Sequence, residues 1–176
     1  MYKRFDFEGD IHDSLDCVPL SVRRKLDLAA LKISLEGWQA LTHAERLALC
    51  HLPVDSALEL GVYIDVMKAF CARANVPLKP LADPAAAARA WNAPELPELL
   101  VERLRALGAT SVLPAERWRA LDEESRYALL KLSDPKRNPL KLPSLLVELG
   151  LLPGPAPYVQ PKAVVCEPPP PDAERR

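Results

Sequence analysis

The sequence predicts an all-α protein: a compact single-domain bundle of about six to eight helices, with an extended N-terminal arm and a Pro-rich disordered C-terminal tail. Three observations predict it. Nearly half of the 176 residues are apolar, enough for a sizeable core. The apolar residues recur at helical spacing behind Thr, Ser and Asp caps. Strand-like alternation is confined to two short stretches, Phe5-Asp6-Phe7-Glu8 and Leu31-Lys32-Ile33-Ser34-Leu35. The domain is placed at residues 1–150 and the tail at 151–176.

The elements follow in order. Alternation over Phe5–Glu8 puts both rings on one side of an extended arm. Pro19 suits the first turn of a helix, with Val22, Leu26, Ala29 and Ala30 as the inner stripe and Arg23, Arg24, Lys25 and Asp27 facing out. Leu31–Leu35 is either an extended link or the lead into the next helix. Thr42-His43-Ala44-Glu45 is a capping box, in which hydroxyl and carboxylate each satisfy a backbone amide that lacks a helical partner; its helix stops before Pro53. Asp55 or Ser56 caps the longest helix, to about residue 75. There Tyr63, Val66, Met67, Phe70, Cys71 and Ala74 form the clearest amphipathic stripe.

Residues 77–94 are rich in Pro and Ala, with a short helix expected near Pro84–Trp91. A helix from Pro94 to Leu107 ends at Gly108. Asp122 caps another through Leu132, and the last runs from Pro143 to Leu149 before Gly150. Of the 19 prolines, eight fall in residues 151–176. Proline fixes φ and lacks an N–H, so this segment reads as a polyproline-II-like tail.

Two segments echo each other at an offset of 80: Trp38–Leu52 and Trp118–Leu132, with seven of fifteen positions identical. In each, a Trp lies four residues before a Thr or Asp cap, and an Arg lies four residues after it. The unit is a short Trp-bearing helix, a capped turn and a second helix, which needs neighbours to bury its apolar faces.

Charge and motifs exclude several function classes. With 23 Lys and Arg against 24 Asp and Glu, the chain lacks the cationic excess of nucleic-acid modules. Asp6, Glu8 and Asp10 interrupt any secretory signal. No stretch approaches the roughly 20 apolar residues of a membrane span. The expected location is cytoplasmic. There is no C-x-x-C, H-E-x-x-H, G-x-S-x-G or P-loop pattern, so neither catalytic nor metal residues are assigned, and no cofactor. Cys50 and His51 are adjacent and point about 100° apart on a helix, one inward and one outward. Cys17 and Cys71 read as small core residues. The acidic arm, Asp6 to Asp16, reads as solvated. The basic stretch Lys131–Lys141 follows a helix C-terminus, which favours positive charge; it also suits an acidic partner surface.

Several segments carry a resemblance. Phe5-Asp-Phe-Glu-Gly-Asp10, Ser14-Leu-Asp-Cys-Val-Pro19, Val22-Arg-Arg-Lys-Leu-Asp27, Lys32-Ile-Ser-Leu-Glu-Gly-Trp38 and Arg126-Tyr-Ala-Leu-Leu-Lys-Leu-Ser133 resemble, in order and spacing, the nitrate reductase associated (NarM-like) proteins. The resemblance runs from about residue 5 to residue 150. It implies a non-enzymatic accessory or maturation factor whose partner is an assimilatory nitrate reductase, a molybdopterin and iron–sulfur enzyme. Within the matching segments Arg23, Lys25, Asp27, Arg126 and Lys131 are charged, and they are the candidate partner contacts. The alternative is a metal or cofactor carrier using Cys17, Cys50 or Cys71. A helix-turn-helix regulator is disfavoured because the helix after Asp122 opens with Glu123-Glu124, which would repel phosphates.

Overall fold

Pro19, with its fixed φ of −60°, opens α2 (Leu20–Leu28), the helix around which the chain is organised. The computed structural model describes residues 2–81 and 90–154. Before α2, the chain is extended at Phe5, makes a 3₁₀ turn at Asp6–Glu8 and a single turn of helix, α1 (Ile11–Ser14). The two rings expected on one side are together, with centroids 5.8 Å apart, and both are buried. The turn and α1 were not foreseen; Gly9 and Leu15, at positive φ, let the backbone reverse after each.

Leu31–Lys32 is a short strand, β1, antiparallel to β2 (Lys79–Pro80). The first hairpin is α3 (Leu35–Ala40) and α4 (His43–His51). Thr42 forms the predicted capping box with Glu45. Ser56, rather than Asp55, caps α5 (Ala57–Arg73), with a second capping box through Glu59. The short helix expected near Pro84–Trp91 falls largely outside the described residues, as does nearly all of the tail. Next come α6 (Glu98–Ala106), a 3₁₀ turn at Thr110–Val112, and the second hairpin, α7 (Ala115–Ala120) and α8 (Glu123–Leu132). Helix α6 starts at Glu98 rather than Pro94 because Pro97 takes the cap position. The last helix is α9 (Lys141–Glu148), followed by Gly150 at φ +65°.

The two hairpins share one local geometry. Trp38 and Trp118 are both fully buried. Thr42 and Asp122 sit at φ/ψ of −64/155° and −67/160°, and each side chain accepts from the amide three residues on. Each indole N–H donates to a distant carbonyl, Trp38 to Leu15 at 2.6 Å and Trp118 to Ala93 at 2.9 Å. The sequence echo is therefore in part an echo of structure: the paired Trp and cap positions make the same kinds of bond, although Thr42 caps with a hydroxyl and Asp122 with a carboxylate.

Each hairpin anchors its own apolar cluster. One gathers Trp38, Leu41, Leu49, Tyr63 and Met67; the other gathers Phe5, Phe7, Trp91, Trp118, Leu129 and Leu145. Helix α2 serves both, giving Leu20 to the second and Val22 and Leu26 to the first. This overturns one expectation. Arg24, Lys25 and Asp27 do not face out but are buried, because a helix between two clusters has no free outer face.

Candidate partner-binding surface

A buried charge persists only when it is paired or hydrogen-bonded, so each charged residue of α2 reveals a neighbour. Asp27 faces α8. Its Oδ2 accepts from Tyr127 Oη at 2.9 Å and pairs with Lys131 Nζ at 2.8 Å. Tyr127 is held well above its ordinary pKa, first by burial and then by the Asp27 charge. Lys131 also lies over the Tyr127 ring, 5.3 Å from its centroid. Arg24 pairs with Glu123 in the first turn of α8.

Lys25 points the other way. Its ammonium donates to the carbonyls of Cys50 at 2.5 Å and Leu52 at 2.6 Å. These carbonyls belong to the end of α4, where helical partners run out. Burial lowers the Lys25 pKa despite these bonds.

Arg23 is the one charged residue of α2 that keeps partial exposure. Its Nε donates to Val18 O at 3.1 Å. Burial, and next the Arg137 guanidinium, lower its pKa. Arg126 stands apart on α8, over the Trp118 ring at 5.9 Å, with Nε buried and lacking a hydrogen-bond partner. Of the five candidate contacts, Arg23, Asp27 and Lys131 thus gather at the α2–α8 seam. Lys25 serves the α4 end and Arg126 the second hairpin.

Residues 4–149 match the profile of the conserved nitrate reductase-associated protein family. The chain belongs to that family. No curated protein and no solved structure matches it significantly. The matched span takes in both hairpins, α2 and the whole seam, so the family's shared region is the folded body described above. No helix among the described residues is long and apolar enough to cross a membrane.

Among the described residues no three His, Cys, Asp or Glu side chains come together as metal ligands would. Cys50 and Cys71 are buried in the first cluster, and burial pushes both thiols up to about 11. A thiol so disposed resists forming the thiolate that metals need. Cys50 points inward and His51 outward, as their adjacency predicts.

Sequence reasoning missed two features. Glu8 is not solvated with the rest of the acidic arm: its Oε1 accepts from Leu20 N at 3.0 Å, and its Oε2 lies 3.3 Å from His12 Nε2. The i,i+4 spacing of Glu8 and His12 was the available signal. Second, a cleft of about 250 Å³ opens between α2, the α4–α5 link and the start of α8, where Tyr2, Lys25, His51, Asp55 and Glu124 meet. Its walls come from segments distant in sequence, so no motif marks it.

Proposed function

We propose that this protein is a non-enzymatic accessory or maturation factor that supports nitrate reductase activity by binding the reductase in the cytoplasm. The observation that carries the reading is the family match over residues 4–149. The charged residues of the matched region support it from another side. Lys25 and Asp27 have their bonds inside the chain, where they fix α4 and α8 against α2. Arg23, Arg126 and Lys131 retain access to solvent, and they are the residues proposed to meet the partner, with Lys25 and Asp27 holding the surface in shape. Exposed apolar side chains, Leu58 on α5 at 80% and Leu140 before α9 at 48%, add contact area of the kind interfaces use.

The test is co-purification. Tagged full-length protein expressed in nitrate-grown cells is expected to carry nitrate reductase with it, above a tag-only control. Absence of enrichment under gentle lysis contradicts binding. Assay of the captured reductase for its cofactors then separates a maturation role from a later one.

A further inference from the structure

We propose that the corner where the α8–α9 turn meets α2, formed by Arg23, Lys131, Lys136, Arg137 and Leu140, docks an acidic peptide segment of the partner protein. The proposal rests on the reductase reading only in taking the partner to be a protein.

Two of the corner's cations, Lys136 and Arg137, have no side-chain counter-charge among the described residues. Asp134 is the one carboxylate in the turn, and its Oδ1 accepts from the Lys136 amide at 2.9 Å. Asp27, the carboxylate nearest on α2, is committed to Tyr127 and Lys131. Among the described residues neither Lys136 nor Arg137 has a side-chain ion pair or hydrogen bond. The Arg137 charge helps to lower the Arg23 pKa, as like charges do to one another.

The helix dipole does not account for this arrangement. Its attraction for cations fades within the last turn. That covers Lys131, but Lys136 and Arg137 follow the Ser133 cap. The turn is also stiff. Arg137 N donates to Asp134 O at 2.9 Å, Leu140 N donates to Asn138 Oδ1 at 3.0 Å, and Pro135 and Pro139 restrict φ. A stiff turn loses little entropy on binding.

Leu140 decides the class of partner. An exposed leucine among cations fits a peptide that offers both carboxylates and an apolar side chain. A nucleic acid offers phosphates but no apolar side chain to meet Leu140, and a chain with 23 Lys and Arg against 24 Asp and Glu lacks the cationic excess that phosphate binding needs.

The test compares full-length wild type with K136E/R137E and with a charge-matched control, K32E/K68E, at exposed lysines elsewhere. The probe is a short fluorescent Glu-rich peptide carrying one leucine, read by anisotropy beside phosphatidylserine vesicles and mixed-sequence duplex DNA. Wild type and the control are expected to bind the peptide, more weakly as salt rises. K136E/R137E is expected to lose about tenfold or more. Equal peptide binding by K136E/R137E, or tighter binding of wild type to vesicles or DNA, overturns the proposal. If K136E/R137E melts below wild type, K136Q/R137Q replaces it and the same order of affinities is required.

Reductase capture separates this proposal from the broader reading. Capture by wild type and control but not by K136E/R137E supports both. Capture by all three overturns the corner and leaves the reductase reading standing. Corner-dependent peptide binding without any reductase capture supports the corner and removes the reductase.

Discussion

Tyr127 donates its hydroxyl to Asp27 across the α2–α8 seam at 2.9 Å, joining residues one hundred positions apart. The same carboxylate oxygen holds Lys131 from the next turn of α8. One acceptor thus ties the central helix to the second hairpin. Because the site is buried, each bond counts for more than it would at the surface, and an orphaned carboxylate would cost more.

Tyr127→Phe is therefore expected to destabilise the fold by about 2 kcal/mol, within the range for a buried hydrogen bond to a charged group. Urea unfolding measures it. Asp27→Asn in a Tyr127→Phe background should cost less than in wild type, since the two side chains act as a pair. Additive losses would show that the bond is not made.

Lys25→Met should cost about 2 kcal/mol by leaving the Cys50 and Leu52 carbonyls without their donor. Amide exchange localises the effect. Protection should fall at the end of α4 and in the link to α5, whereas uniform loss across the molecule would argue against a local cap.

The Glu45 carboxyl is depressed to about 2, first by its bond to Arg73 and then by the Thr42 amide. Its ordinary value is 4.5. A depressed carboxyl stabilises the folded state fully above the unfolded value, and that contribution is lost as pH falls through the folded value. Glu45→Gln should thus be less stable than wild type at neutral pH, with the gap shrinking as pH falls from 4.5 towards 2. A gap that stays constant across that window contradicts the assignment.

Two glycines should respond in opposite directions. A Cβ at Gly37 would lie 2.6 Å from Val76 Cγ1, whereas one at Gly61 meets nothing within 4 Å. Gly37→Ala should destabilise by about 1–3 kcal/mol through overpacking. Gly61→Ala, inside α5, should stabilise by about 0.5–1 kcal/mol through helix propensity. Thermal melts of the two variants check both signs.

What the sequence disclosed and what it hid follow one physical line. Features written in adjacent residues were legible: the Thr42 and Asp122 caps, the Trp38 and Trp118 hairpins, and the α5 stripe. Features set by elements distant in the chain were not. Helix α2 reads as amphipathic, with a charged outer face, yet Arg24, Lys25 and Asp27 are buried because clusters from both halves close over it. The Glu8 carboxylate shares this origin in part: Leu20 N, twelve residues on, supplies one partner, whereas His12 is a local i,i+4 neighbour. Arg23 and Lys131 were picked from a linear resemblance. That Arg23 and Lys131 lie on the two helices joined at the α2–α8 seam required the fold.

The central claim is that cells need this protein for nitrate reductase activity. The most direct measurement is reductase activity in extracts of cells lacking it, after growth with nitrate present and ammonium absent. The account predicts activity well below that of the parent strain, restored by the full-length chain, with unchanged growth on ammonium. Equal reductase activity with and without the protein would contradict it.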